Sequence, residues 1–201
     1  YNVLFIQVDQ WSEKFLNFTG NDKIMTSTIN QLARDGVTYS NCYSTCPVCI
    51  PARRSLMTGL FPKAHGDRVY SDRMKMPSVT TLAEAFHQAG YYTMAVGKLH
   101  VYPQRNRIGF QDVILQEEGR YEFGGPDDYQ IWLGENGYIG QEFLHGMGNN
   151  TYYTRTWPLG ENAHPTTWAT GQMIKQIKRR DPEKPAFFYL SYTFPHPPLV
   201  P

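Results

Sequence analysis

The chain has 201 residues and a formal net charge of +1, from 19 Lys and Arg residues against 18 Asp and Glu residues. An apolar fraction of 41% excludes an intrinsically disordered tail, and the charge balance gives no support to nucleic-acid binding driven by net charge. No apolar stretch approaches the ~18 residues needed to cross a bilayer, so no membrane span is expected. The length indicates one domain with a sizeable core.

Apolar periodicity and turn residues predict strands that alternate with helices. Asn2–Val8 is a near-continuous apolar run, typical of a strand buried on both faces. The first residues carry no signal-peptide features, so a periplasmic, secreted or cytoplasmic location stays open. The other predicted elements are helices over Ser27–Asp35, Pro51–Met57, Thr80–Ala89 and Thr166–Arg179, and strands over Val37–Tyr43, Tyr91–Val96, Val113–Leu115 and Ala186–Tyr192. This alternation predicts an α/β fold with a mostly parallel sheet flanked by helices.

The segment 116–165 differs in composition from the rest of the chain. It is rich in Gly, Asn, Tyr and Trp and has weak periodicity. We predict a long surface excursion that shapes a pocket and does not build the core. Its aromatic residues, such as Tyr121, Trp132 and Tyr152, are candidates for stacking on a sugar or an aryl group, with ordinary surface packing as the alternative.

Reactive side chains follow four of the predicted strands. Asp9 and Gln10 follow the first strand, and a loop of cysteines follows the second. The segment 97–100 (Gly-Lys-Leu-His) and the segment 195–197 (Pro-His-Pro) follow two later strands. Ligands of open α/β sheets bind outside the carboxyl ends of the strands, so these residues are expected to converge on one site.

The three cysteines, Cys42, Cys46 and Cys49, cannot close a disulfide framework because their number is odd. Their spacing matches the cluster-binding loop of radical S-adenosylmethionine enzymes, in which three thiolates leave one iron open. Two other interpretations stay open at this point. Cys49 could be a buried structural thiol beside the start of a helix. It could also be the first residue of a sequence motif that continues into the following helix.

Cys49-Ile50-Pro51-Ala52-Arg53, with Thr58-Gly59 at the end of the helix, resembles the sulfatase signature Cys-x-Pro-x-Arg. Further segments resemble the same family in the same order along the chain: the strand ending at Asp9, the segments 32–39 and 81–98, Gly109–Asp112, and Tyr192–Pro198. The resemblance implies an alkaline-phosphatase/sulfatase-like fold. Residues 1–201 would form the N-terminal part of the catalytic domain, incomplete at the C-terminus.

The resemblance also implies roles for individual residues. A maturation enzyme would oxidise Cys49 to formylglycine, whose hydrated aldehyde attacks sulfur with one hydroxyl and expels sulfate when the second is deprotonated. Arg53 would hold the formylglycine, and Lys98 would bridge it to the sulfate. His100 would act as base on the formylglycine hydroxyl, and His196 would contact the sulfate or protonate the leaving oxygen.

A divalent cation, usually Ca²⁺, is implied as well, with Asp9, Gln10 and the modified residue 49 as ligands. Gln10 stands where the family usually has a second aspartate, which removes one negative charge and keeps Mn²⁺ open as the metal. The family's remaining metal ligands have no counterpart in these 201 residues. We therefore expect the chain, taken alone, to bind metal poorly and to show little turnover.

The sequence thus predicts a sulfuric ester hydrolase acting on a sulfated small molecule or sulfated sugar. The first alternative is a phosphonate monoester or phosphodiester hydrolase of the alkaline phosphatase superfamily. The remote alternative is an iron–sulfur protein that uses Cys42, Cys46 and Cys49.

Overall fold

A computed structural model describes residues 1–201. Its four strands are β1 (Val3–Val8), β2 (Tyr92–Gly97), β3 (Asp112–Leu115) and β4 (Ala186–Tyr192). The helices are α1 (Ser27–Asp35), α2 (Cys49–Thr58), α3 (Pro62–His65), α4 (Leu82–Gln88), α5 (Asp128–Glu135) and α6 (Pro165–Arg179). Single 3₁₀ turns lie at Glu13–Phe15, Asn17–Thr19, Tyr121–Phe123 and Glu161–Ala163. No helix combines the length and the hydrophobicity required to cross a membrane.

The strands form one parallel sheet in the order β1-β4-β2-β3. This confirms the predicted α/β class and the mostly parallel sheet. Because all four strands run the same way, their carboxyl ends meet at one edge of the sheet. The loops that follow β1, β2, β3 and β4 therefore start side by side.

Alternating side chains of the central strands enter two cores, one on each face of the sheet. Met94 of β2 and Phe188 of β4 pack toward α5 and α6, whereas Ala95 and Phe187 pack toward α2 and α4. The near-continuous apolar runs of β2 and β4 reflect this two-sided burial.

The first strand, β1, was predicted to be buried on both faces, but it is partly exposed. β1 is an edge strand that pairs only with β4, and Leu4 and Ile6 are 47% and 50% exposed. An apolar run alone does not distinguish an edge strand from a central one, since burial depends on the neighbouring elements. Helix α1 has the predicted bounds, but it too buries no residue.

The strand predicted over Val37–Tyr43 is wrong. The segment is irregular and pairs with no strand, and Val37, Tyr39 and Tyr43 are highly exposed. Its β-branched and aromatic residues fit a pleated surface, but this preference produces a strand only where a neighbouring strand supplies hydrogen bonds.

The prediction that segment 116–165 stays outside the core is also wrong. Tyr129 and Leu133 of α5, together with Met147 and Trp157, are buried in the core cluster that packs against β4 and α6. Helix α5 begins at a capping box in which Asp127 and Gln130 satisfy each other's backbone N–H groups. The hydrophobic periodicity of this segment is weak because each short helical or irregular piece contributes only one or two core residues.

One glycine sets the packing at the end of β2. Gly97 has φ +96°, and a Cβ atom there would lie 1.9 Å from the backbone oxygen of Ser191 on β4. A side chain would therefore push β2 away from β4 just before Lys98. Only glycine combines the left-handed backbone with this close approach.

We expect Gly97→Ala to lower the free energy of unfolding by about 3 kcal/mol or more, because both the φ angle and the contact with β4 become unfavourable. Gly171→Ala, at an open position within α6, is the matched control and should raise stability by up to about 1 kcal/mol. Urea unfolding followed by circular dichroism measures both. Equal stability of the two variants would contradict this account.

Candidate active site

Helix α2 places Cys49 at its first residue. The helix follows an extended residue, Val48, which offers no side-chain cap, and Pro51 lies in the first turn, where its missing N–H costs no helical bond. The Cys49 side chain is half-buried, and its Sγ lies 3.9 and 4.0 Å from the two carboxylate oxygens of Asp9. Free N–H groups and the helix dipole favour negative charge near this residue.

Asp9 is a buried carboxylate at the end of β1. Its Oδ2 atom lies 2.7 Å from Lys98 Nζ and 3.4 Å from Arg53 Nη2. Burial raises the pKa of Asp9, but the charges of Lys98 and Arg53 outweigh it, so the pKa is held below its usual value. The carboxylate is therefore ionised and joins three different elements.

Arg53 is buried, with only 2% of its surface exposed, so it is not a solvated charge on the helix surface. Its Nη1 group donates hydrogen bonds to the backbone oxygen of Lys98 at 2.6 Å and to Ser191 Oγ at 2.9 Å. It lies four positions after Cys49, which puts both on one face of α2. Arg53 thus clamps the start of α2 to the ends of β2 and β4.

The ammonium group of Lys98 is completely buried between two carboxylates. Besides Asp9 it contacts Glu118 Oε1 at 2.9 Å. Lys98 follows Gly97 at the end of β2, so its position depends on the close contact of β2 with β4. Such a charge is tolerated in the interior because it is paired and hydrogen-bonded.

His196 lies in the loop after β4 and faces Cys49. Interaction of its imidazole with the Cys49 thiol raises the pKa of His196, although burial opposes the shift. In turn, burial raises the pKa of Cys49, but His196 and the charge of Lys98 outweigh it and lower the pKa. His196 lines the same cleft as Cys49, and its Nδ1 lies 2.8 Å from the backbone oxygen of Pro197, which leaves Nε2 as the ring nitrogen without this contact.

His100 is close to the cations of the site but is not hydrogen-bonded through its ring. Its backbone has φ +58°, and both ring nitrogens are buried without a partner. Burial, with the charges of Lys98, Arg120 and Arg53, lowers the pKa of His100 well below its usual value. The ring is therefore neutral and has a free acceptor nitrogen. Its predicted hydrogen bond to residue 49 stays a prediction.

Gln10 is exposed and has φ +57°. Its Nε2 group donates to the hydroxyl of Tyr152 at 3.2 Å, which connects the β1 loop to segment 116–165. Five of the predicted residues line one cleft: Asp9, Gln10, Cys49, Arg53 and His196. Lys98 does not line the cleft but contacts Asp9, which does. The structure thus brings together six of the seven predicted site residues.

Comparison with known proteins agrees with this arrangement. A family model described as Sulfatase matches residues 1–201. The chain belongs to the sulfatase family. An arylsulfatase of Clostridium perfringens is 35% identical over 100% of the chain and 44% of that relative.

Two solved structures show the same fold as this sulfatase-family chain. The phosphonate monoester hydrolase of Agrobacterium radiobacter has a TM-score of 0.78 at 24% identity, over 100% of the chain and 42% of that structure. A protein solved with its substrate D-glucosamine-2-N,6-O-disulfate has a TM-score of 0.69 at 20% identity, over 97% of the chain and 34% of that structure. The chain thus spans less than half the length of these relatives.

Sulfatases generally use formylglycine and a divalent metal, and the residues of this chain supply only part of such a metal site. Asp9 offers one carboxylate, already paired with Lys98 and Arg53, and Gln10 offers one amide oxygen. Ca²⁺ takes 6–8 oxygen ligands. No group of three or more His, Cys, Asp or Glu side chains is placed to hold a metal ion. Residues 1–201 therefore do not complete a metal site by themselves.

The same observation bears on the iron–sulfur alternative. Cys42, Cys46 and Cys49 are all free, with Cys42 exposed to solvent, and they form no ligand group for a metal. The structure gives this alternative no support.

Two acidic residues of the site were missed in the sequence. Glu117 accepts hydrogen bonds from the backbone N–H groups of Leu99 and His100, and burial, partly offset by these bonds, raises its pKa to about 7. Glu118 contacts Lys98 and, at 3.6 Å, His196. They are the second and third residues after β3, so the strand-end argument that selected the other residues also applies to them.

The buried contacts of Arg53 yield a stability prediction. We expect Arg53→Ala to lower the free energy of unfolding by about 3–5 kcal/mol, because Asp9 and the Lys98 carbonyl lose a buried partner. Arg34→Ala, on the exposed surface of α1, is the control and should change stability by less than about 0.5 kcal/mol. Urea unfolding of both variants measures the difference, and similar losses would contradict a buried clamp.

Proposed function

We propose that this chain carries the nucleophile side of the active site of a formylglycine-dependent sulfuric ester hydrolase. The observation that supports this most strongly is the cleft around Cys49, which begins α2 inside the sulfatase signature and faces His196, Asp9 and Arg53. Cationic groups from α2, the end of β2 and the loop after β4 surround one small nucleophilic residue. An ester that carries a negative sulfate group fits such a site.

Conversion of Cys49 to formylglycine by a maturation enzyme is part of the proposal. The hydrated aldehyde of formylglycine would supply one hydroxyl that attacks sulfur and a second hydroxyl whose deprotonation releases sulfate. The half-buried position of Cys49 suits this residue, since the side chain is open to a substrate yet close to groups that move protons.

His196 is proposed as the proton donor to the leaving oxygen. Its raised pKa favours the protonated form, and Nδ1 is engaged by the Pro197 carbonyl, so Nε2 holds the proton that faces the cleft. General acids of this kind contribute about 10²–10⁴-fold to rate.

His100 is proposed as the base for sulfate release. A buried imidazole with two unpartnered nitrogens is unusual, because burying a polar group without a hydrogen bond costs free energy. A hydroxyl of the hydrated formylglycine would supply the missing partner. The lowered pKa keeps His100 neutral and able to accept a proton.

Lys98 and Arg53 are proposed to neutralise the sulfate and hold residue 49 in place. Both are buried, so their charges act at lower effective dielectric than they would at the surface. Asp9, Gln10 and the modified residue 49 are proposed as part of the ligand set of a divalent cation, with Ca²⁺ as the first candidate and Mn²⁺ as the second.

The substrate is proposed to be a sulfated small molecule or a sulfated sugar. The arylsulfatase relative and the neighbour solved with a disulfated glucosamine support this class. Phosphonate monoester or phosphodiester hydrolysis is the second candidate. It is supported by the fold of the phosphonate monoester hydrolase and by Gln10, which lowers the negative charge of the metal site.

The modification of Cys49 is directly measurable. In a host with a maturation enzyme, we expect the tryptic peptide containing Cys49 to be about 18 Da lighter than its unmodified mass, the difference between a thiol and an aldehyde side chain. Mass spectrometry of the full-length protein provides the measurement. Cys42→Ser should leave the modification intact, and an unmodified Cys49 in that host would falsify the formylglycine proposal.

The two candidate reactions differ in substrate preference. We expect the full-length enzyme to hydrolyse an aryl sulfate with a higher kcat/KM than the matching aryl phosphonate monoester, and Cys49→Ala to abolish both activities. Steady-state kinetics with chromogenic esters that share one leaving group measure the preference. A higher kcat/KM for the phosphonate would favour the second candidate over the first.

A further inference from the structure

Glu118 is a buried acidic residue between two cationic groups of the active site. One carboxylate oxygen, Oε1, lies 2.9 Å from Lys98 Nζ and 3.6 Å from His196 Nδ1. The other oxygen, Oε2, accepts hydrogen bonds from Arg120 Nε at 3.0 Å and Nη2 at 2.9 Å. Only 6% of the residue is exposed. The two oxygens thus have separate tasks, with Arg120 fixing the carboxylate and Oε1 left to face the site.

The carboxylate remains ionised despite its burial. Burial raises the pKa of Glu118, but the charges of Lys98 and Arg120 outweigh it, so the pKa lies below its usual value. A fixed negative charge therefore lies beside the ring of His196. A carboxylate in this position favours the protonated imidazole and restricts its orientation, as the aspartate does in a Ser-His-Asp triad.

The backbone around Glu118 is held in an uncommon conformation. Its φ is +58°, a value that non-glycine residues adopt rarely, and Asn149 donates a hydrogen bond to its carbonyl at 2.9 Å. The next residue, Gly119, has φ +64°, and a Cβ there would lie 2.5 Å from the ring of Phe143. Surrounding contacts thus hold the chain in an unfavourable conformation of a kind that is common at functional sites.

We propose that Glu118 is a positioning residue that holds the Lys98 ammonium group and orients His196 for proton donation. The inference rests on the proposed function, in which His196 acts on the leaving oxygen. Glu118 and the Pro197 carbonyl both lie on the Nδ1 side of the ring, so they leave Nε2 as the nitrogen for proton transfer in the cleft that His196 and residue 49 share.

Glu118 supports the step in which the ester bond of the substrate breaks. A hydroxyl of the hydrated residue 49 gives its proton to water, and its oxygen bonds to sulfur while the bond between sulfur and the ester oxygen breaks. The ester oxygen keeps the electron pair of that bond and receives the proton from His196 Nε2. His196 becomes neutral and keeps its Nδ1 proton, which points to Pro197 and Glu118, and it regains the Nε2 proton from water.

Leaving-group dependence separates this role from a merely structural one. A phenolate with nitro groups is stable without a proton, whereas unsubstituted phenolate needs protonation as the bond breaks. Loss of proper His196 placement therefore slows hydrolysis of phenyl sulfate much more than that of dinitrophenyl sulfate. General damage to the fold would slow both esters equally.

The experiment compares Glu118→Gln, Glu118→Asp and the control Glu122→Gln in the full-length protein with residue 49 modified. Glu122 lies on the same loop but is exposed, so its variant removes an equal charge outside the site. For Glu118→Gln we expect kcat/KM to fall about 10- to 100-fold with phenyl sulfate and less than about threefold with dinitrophenyl sulfate, mainly through kcat. Glu118→Asp, which keeps the charge, should recover part of the phenyl sulfate activity, and Glu122→Gln should match the wild type.

Equal losses with both esters, or no loss, would overturn the role of Glu118. Thermal unfolding shows whether each variant is folded. If Glu118→Gln does not fold, the comparison of the two esters with Glu118→Asp decides whether Glu118 positions His196. Failure of the proposed function gives a different result. In that case the wild type hydrolyses neither ester although mass spectrometry shows residue 49 modified.

Discussion

The ion pair between Asp9 and Lys98 is the contact on which the rest of the site depends. Each residue directly follows a strand, and their side chains meet at 2.7 Å where the carboxyl ends of β1 and β2 approach β4. Breaking a buried pair leaves an uncompensated charge, which costs several kcal/mol, so the two strand ends are held in register. Arg53 extends the pair to α2 and thereby fixes the position of Cys49.

Packing of the sheet and chemistry of the site are therefore linked. Gly97 allows β2 to approach β4 closely, and Ser191 on β4 accepts a hydrogen bond from Arg53. A change in the spacing between β2 and β4 would therefore move Lys98 and also the groups that surround residue 49. The same linkage explains why charged groups tolerate burial here, since every cation of the site has an anionic or carbonyl partner.

Much of this arrangement was predictable. The strand-end rule located Asp9, Lys98 and His196 at one edge of a parallel sheet, because apolar runs and turn residues are local signals. The same rule applied to the end of β3 would have included Glu118. The absence of a strand over Val37–Tyr43 and the exposure of β1 were not predictable, since both depend on which neighbouring strand or helix is present.

The sequence by itself determined the α/β class, the signature around Cys49 and the identity of six residues that the structure brings together, because motif spacing and strand periodicity are properties of the local chain. Only the tertiary structure decided that Arg53 is a buried clamp, that the His100 ring has no partner, and that Glu118 lies beside Lys98 and His196. These facts arise from contacts between residues far apart in the chain. These contacts also bury the ionisable groups and place them beside one another, which shifts their pKa values. Residue spacing in the sequence does not encode this effect.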